Sequence, residues 1–183
     1  MPNALTEDLN LISRFKDGDL AAFEEFVRKN EDRIYNLCRY MLRDASDAQD
    51  AAQDTFIKAY KGLKDFQPDA SPSTWLYRVA VNTCLDHKKK YRNDPLSGEA
   101  VPGDLPSPDP SPEGSYHARR DAEVLRTALR ELPEKLRSAI VLREIEGLSY
   151  EEIAAVLDIS MGTVKSRIAR ARDELRVIVS GKS

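Results

Sequence analysis

The sequence predicts an all-α protein of two small helical domains joined by an acidic, proline-rich linker. Three observations carry that expectation. Apolar residues recur at three- and four-residue steps through both halves, and no alternating run is long enough for a strand. Between residues 93 and 116 the chain reads NDPLSGEAVPGDLPSPDPSPEGSY, with six of the ten prolines, five carboxylates and no Lys or Arg. Such a segment cannot offset the entropy of ordering by burial, so residues 93–118 are expected to be an extended linker between a domain over 1–92 and another over 119–183. At 183 residues and 41% hydrophobic, the chain can bury one medium core or two small ones.

In the first half, Leu9, Ile12, Phe15, then Phe23, Phe26, Val27, then Ile34, Leu37, Cys38, Met41 and Leu42 mark amphipathic helices. Ser46 with Gln49 has the spacing of a capping box and predicts a helix start, with Ala48, Ala51, Ala52, Thr55, Phe56, Ala59 and Leu63 turned inward. Pro68 to Ser73 reads as a loop. TWLYRVAVNTCLDHKKKYR then resumes as a helix, apolar first and basic at its end, where cations suit the helix dipole. In the second half, Val124, Leu125, Ala128, Leu129 and Leu132 predict one helix, and Pro133 suits the first turn of the next, which buries Leu136, Ile140 and Ile145 and stops at Gly147. Ser149 with Glu152 is a second capping box, opening a short helix through Leu157; Asp158, Ile159 and Ser160 make a turn, and Ser160 caps the final helix.

Composition excludes several function classes. The opening MPNALTEDLN lacks the basic start and apolar run of a secretory signal, and no apolar run approaches the roughly 18 residues of a membrane span, so a cytoplasmic protein without membrane insertion is expected. Cys38 and Cys84 are too few for a disulfide framework and read as buried thiols. His87 and His117 lack metal-ligand spacing to other donors, and there is neither a phosphate-cradling glycine loop nor a nucleophile with an evident base. No catalytic residue, metal or cofactor is therefore expected.

Net charge is −3, which taken alone argues against a nucleic-acid binder, but the charges are laid out in blocks. Asp44 to Asp54 holds four Asp and no cation, whereas Lys88 to Arg92 holds four cations in five residues. Blocks of opposite sign point to several partners rather than one uniform coat.

The most informative stretch is SYEEIAAVLDISMGTVKSRIARAR. Helix, three-residue turn and helix is the spacing of a helix-turn-helix, whose second helix lies in the DNA major groove. At about 100° per residue, Val164, Ile168, Ala171 and Leu175 share an inward stripe. Thr163, Ser166 and Arg170 then face outward beside Gly162 and Ala169, small enough for the backbone to approach base edges. Lys165, Arg167 and Arg172 flank that stripe at positions suited to phosphates. On the helix near Ser73, Trp75, Arg78, Asn82, Asp86 and Lys89 share another face, an aromatic, cation and amide series suited to stacking on and pairing with a single strand. Asp86 is out of place beside DNA and is read as orienting Asn82 or Lys89. The block Asp44, Asp47, Asp50 and Asp54 is read either as helix-start acids or as a docking face for a basic protein.

Over nearly its whole length the chain resembles a small two-domain bacterial sigma factor of the extracytoplasmic-function type, in the sigma-70 superfamily. The run LPEKLRSAIVLREIEGLSYEEIAAVLDISMGTVKSRIARARDELR is similar to the family's region 4, a helix-turn-helix that reads the minus-35 promoter element. DAQDAAQDTFIKAY and STWLYRVAVNTCLDHKKKYR resemble the region 2 segments that dock on RNA polymerase and that melt and capture the minus-10 element. The resemblance implies a dissociable promoter-specificity subunit with core RNA polymerase and promoter DNA as partners and an anti-sigma factor as regulator. It implies docking through Asp50, Gln53 and Asp54, minus-10 contacts from Asn82 and the following Lys88, Lys89, Lys90 and Arg92, and minus-35 contacts from Gly162, Thr163, Lys165, Ser166 and Arg167. The faces read from the residues add Asp47 to the first set, Trp75 and Arg78 to the second, and Ser160, Arg170 and Arg172 to the third. The chain departs from the family pattern at Asp54, where Glu is usual, at Ala51 and Ala52, where larger aliphatics are common, and at Asp158, where the turn often has Gly. An Asp at positive φ costs on the order of 1 kcal/mol relative to Gly. An autonomous helix-turn-helix repressor or activator is the alternative, distinguished by specific DNA binding without polymerase.

Overall fold

The computed structural model describes residues 3–93 and 116–181. The first half holds α1 (Ala4–Lys16), α2 (Leu20–Met41), α3 (Ala45–Gly62), a 3₁₀ turn at Leu63–Asp65 and α4 (Pro72–Arg92). The second holds α5 (Tyr116–Glu131), α6 (Glu134–Ile140), α7 (Tyr150–Leu157) and α8 (Met161–Ser180). Among the described residues there is no strand, as the periodicity predicts. The expected linker, 93–118, falls largely outside the described residues.

Most helix starts follow from a side chain that satisfies the free amides of a first turn, the start of α6 after Pro133 excepted. Asn3, Asp19 and Ser160 accept from Thr6, Ala22 and Thr163. Ser149 and Glu152 form the predicted reciprocal capping box. The cap of α3 is Asp44, which accepts from the Ser46 amide at 2.6 Å, and not Ser46 as its spacing to Gln49 suggested. Gly18, at φ +100°, makes the reversal between α1 and α2.

Helices α2, α3 and α4 pack on one another, with α1 alongside. Phe26, Ile34, Leu37, Met41, Leu76 and Val81 are fully buried between them. Helix α3 contributes Ala48, Ala51 and Ala59, all at 0% exposure, so its neighbours approach closely. This gives a packing role to the small residues where the family pattern has larger ones. Cys38 and Cys84 are free thiols in the same core, with sulfurs 3.5 Å apart. Their mutual hydrogen bond, and then burial, pushes the Cys38 thiol up.

The second half buries Leu129, Leu132, Leu136, Ile140, Val141, Leu142, Ile153, Val156, Val164, Ile168 and Ala171. Helix α6 does not run on regularly to Gly147. Over Val141–Ile145 the bonding widens to i→i+5, with the Glu146 amide donating to the Val141 carbonyl at 3.1 Å, before Gly147 at φ +70° turns the chain. At the end of α5, Ala128, Leu129 and Leu132 are buried, whereas Val124 and Leu125, one turn earlier, are exposed, and Arg126 is buried over the Tyr40 ring. Long apolar stems with polar heads can take such positions, which a purely apolar count misses.

The two halves share one continuous apolar cluster. Buried Arg137 joins them, donating to the carbonyls of Leu129, Arg130 and Leu132 at the end of α5 and to that of Met41 at the end of α2. One guanidinium thereby satisfies orphan acceptors at two helix C-termini.

Candidate nucleic-acid interface and docking face

Helix α8 stands as its angular pattern requires. Val164, Ile168 and Ala171 are buried and Leu175 is half-buried, while Gly162, Lys165, Ser166, Ala169, Arg170 and Arg172 are exposed. The turn before it depends on Asp158, whose φ of 53° and ψ of 53° place it in the left-handed region usually given to Gly. Three hydroxyls are already engaged: Ser160 Oγ and Thr163 Oγ1 lie 2.9 Å apart, and Ser166 Oγ donates to the Thr163 carbonyl at 3.0 Å. Thr163 and Arg167 are half-buried. Arg172 is anchored by Glu144, with Nε 3.1 Å from the carboxylate. The small, exposed surface thus presents Arg170 as its longest side chain, with Lys165 beside it.

On α4, Arg78, Asn82, Asp86, Lys89, Lys90 and Arg92 are exposed. Trp75 is half-buried; its ring meets Phe66 edge-on at 5.7 Å and lies over Gly62, where a Cβ would come within 2.8 Å of the indole. Gly62 is therefore required for the placement of Trp75. Asp86 pairs with Lys58 of α3 at 3.3 Å. That partner differs from Asn82 and Lys89, between which the sequence offered a choice. Arg78 donates to the Ala155 carbonyl of α7, and Lys88 turns toward Glu134 of α6 at 3.8 Å with a side chain only 21% exposed. Burial, and then the Arg137 charge, push Lys88 down to about 8.

Along α3, Asp50 and Gln53 are exposed, and Asp47 and Asp54 are half-exposed. Asp54 Oδ2 lies 2.8 Å from His87 Nε2 of α4. Ile57 and Tyr60, on the same helix, add exposed apolar surface next to these acids.

Several residues at these faces carried no sequence signal. Tyr77 donates to Glu146 at 2.6 Å across the two halves, and burial raises both groups, the tyrosine also through its bond to Glu146. Both residues, like His87, lie far from their partners in sequence, as Arg137 does from Met41, so no local pattern marks these contacts.

Residues 26–93 match the Sigma-70 region 2 family, and residues 122–175 match Sigma-70, region 4. The RNA polymerase sigma-H factor of Pseudomonas aeruginosa is 41% identical over 92% of both chains. The ECF RNA polymerase sigma-E factor of Escherichia coli is 36% identical over 96% of this chain and 95% of its own. The ECF RNA polymerase sigma factor SigE of Mycolicibacterium smegmatis is 42% identical over 87% of this chain, which spans 63% of that longer relative. Among solved structures, CnrH in complex with the cytosolic domain of CnrY superposes with a TM-score of 0.74 at 28% identity, covering 97% of this chain and 99% of that one. The sigma factor RpoE of Bartonella quintana, bound to the anti-sigma factor NepR, gives 0.72 at 25% identity over 86% and 96%.

Proposed function

We propose how the work is divided in this chain, which belongs to the extracytoplasmic-function group of RNA polymerase sigma factors in the sigma-70 superfamily. It is a promoter-specificity subunit and not an enzyme: core RNA polymerase supplies the chemistry and this chain directs where initiation begins. In our reading, residues 1–92 dock on the polymerase through Asp47, Asp50, Gln53 and Asp54. The stripe Trp75, Arg78, Asn82 and Lys89, with Lys90 and Arg92, takes unstacked minus-10 bases and their phosphates. Residues 119–183 read the duplex minus-35 element through Gly162, Thr163, Ser166 and Arg170, with Lys165 and Arg167 on phosphates. No helix among the described residues is long and apolar enough to cross a membrane, and work on polymerase places the chain in the cytoplasm. By likeness to the RpoE–NepR complex, an anti-sigma protein is its regulator, and membership of the extracytoplasmic-function group points to stress-responsive transcription as its setting.

The observation that carries this division is the segregation of exposed charge, carboxylates on the first three turns of α3 and cations on the first three turns of α8 and at the end of α4. A negative face repels DNA and attracts a basic protein; the cationic faces do the reverse. Two small DNA contacts bind weakly alone, so selectivity depends on being held together by the docked polymerase.

Reading both elements requires the halves to separate. Positions 35 and 10 upstream are about 85 Å apart at roughly 3.4 Å per base pair. A compact chain of this length has a radius of gyration of about 16 Å, so it cannot bridge them while closed. The 22 residues 94–115 reach at most about 75 Å when extended, which with the two halves at either end is sufficient.

Co-purification with core polymerase tests the docking assignment. Reversing Asp50 and Asp54 to Lys is expected to abolish association while helix content and melting are kept. Undiminished co-purification of the doubly reversed chain removes the docking face from this account.

A further inference from the structure

Two side chains of α3, one helical turn apart, reach across to α4. Asp54 Oδ2 lies 2.8 Å from His87 Nε2, while Lys58 Nζ sits 3.3 Å from Asp86 Oδ2 and 3.2 Å from Thr83 Oγ1. Asp54 and Lys58 have the i, i+4 spacing of an intrahelical ion pair, yet each contributes a contact to the neighbouring helix. The Thr83 hydroxyl donates to the Val79 carbonyl, which leaves its lone pairs for Lys58. Together these bonds fix the rotation of α4 against α3, and with it the direction in which Asn82 and Lys89 face. The pair is asymmetric in exposure: the His87 side chain is 17% exposed and Asp54 is 49%. The imidazole is held in the seam between helices, whereas half of the carboxylate is open to solvent.

We infer that His87 is a positioning residue that holds the Asp54 carboxylate against α4 in the free chain and yields it to the polymerase on docking. The inference rests on the assignment of Asp54 to the docking face. A cation on the polymerase and the His87 ring compete for one carboxylate, so the bond that orders α4 in the free chain opposes docking. Release acts at the residue directly before Lys88, Lys89 and Lys90, so engagement of the docking face is transmitted to the basic end of the strand-reading helix. His87 thus trades docking strength for a defined register of α4.

The test uses the labelled full chain titrated with purified bacterial core RNA polymerase and followed by fluorescence anisotropy. His87→Ala is expected to bind the core about three- to tenfold more tightly, because Asp54 is then free. His87→Gln, which keeps an N–H donor, is expected to stay within about twofold of the parent chain. In an Asp54→Asn background, His87→Ala is expected to give no gain. A second readout separates positioning from general damage: on a promoter the chain uses, His87→Ala should lower the yield of open complexes although docking improves. A merely structural role lowers both together, and melting temperatures identify variants that fail to fold. Docking of His87→Ala at or below parental affinity overturns the inference, as does a gain that persists without the Asp54 carboxylate. Parental docking by Asp54→Asn removes the docking assignment itself, and the inference with it, whereas loss of docking by Asp54→Asn together with no gain from His87→Ala in the otherwise parental chain rejects only the release step.

Discussion

Arg78 of α4 donates from Nε and Nη2 to the carbonyl oxygen of Ala155 in α7, at 3.0 and 2.6 Å. Ala155 lies in the last turn of α7, where carbonyls lack helical partners and a cation is favoured. The same arginine belongs to the stripe that includes Trp75, Asn82 and Lys89, so the closed arrangement withdraws one member of that stripe from a strand.

Tyr77 and Glu146 form the companion contact, and Tyr77→Phe should loosen it. The variant leaves a half-buried carboxylate without its hydroxyl donor, at a cost of about 1 kcal/mol. Small-angle scattering should give a radius of gyration near 16 Å for the parent chain and a larger one for the variant. An unchanged radius would show that the latch lies elsewhere, with Arg137 the next residue to test.

Lys88 gives a pH dependence with a definite sign. Its folded value of about 8 lies below its ordinary 10.5, so below pH 8 the lysine is charged in both states and its burial penalty is fully present. Between pH 8 and 10.5 the unfolded chain binds more protons, so this group's contribution to stability rises with pH; above that window the penalty is gone. Lys88→Met is expected to raise stability at pH 7 by on the order of 2 kcal/mol. Melting curves from pH 7 to 10.5 should show the two chains converging, and a constant gap across that range would reject the assignment.

Gly62→Ala runs against the usual benefit of alanine in a helix. The backbone at Gly62, φ −78° and ψ −27°, accepts any residue, and the substitution should stabilise by up to about 1 kcal/mol. The added Cβ, however, falls 2.8 Å from the Trp75 ring. The chain has one tryptophan, so its fluorescence reports on that site alone. A shifted emission maximum and weaker capture of single-stranded minus-10 DNA are expected; parental emission would mean that the indole does not depend on Gly62.

Arg170 and Lys165 separate reading from holding. Arg170→Ala should relax preference at the minus-35 element by roughly 1 to 3 kcal/mol, and Lys165→Ala should weaken all sequences alike and lower the salt slope by about one unit. Salt titrations of polymerase-bound chains on matched and altered elements measure both, and identical behaviour of the two variants would reject the split.

The helix-turn-helix was legible because its determinants are local. Ser149 with Glu152, the turn ending at Ser160 and the stripe Val164, Ile168 and Ala171 lie within a short run of chain and appear in the structure as read. Where a helix is set by partners from elsewhere, the sequence misleads. Val124 and Leu125 belong to the same apolar run as Ala128, Leu129 and Leu132, but only the last three are buried, and beside the first two it is Arg126 that is buried, on Tyr40 of another helix. The cap of α3 was missed by two residues because Asp44 and Ser46 both qualify, and only geometry chooses between them. The seam residues Tyr77, Glu146 and His87 needed the tertiary arrangement, since each meets a partner at least 33 positions away.

In-vitro transcription with purified core polymerase and a genomic template library is the most direct measurement of the central claim. Added chain should redirect initiation to a discrete set of start sites sharing paired upstream elements, and the chain with Asp50 and Asp54 reversed to Lys should not. Unaltered start sites with the intact chain, together with specific duplex binding at physiological salt in the absence of polymerase, would contradict it and return the helix-turn-helix to an autonomous regulator.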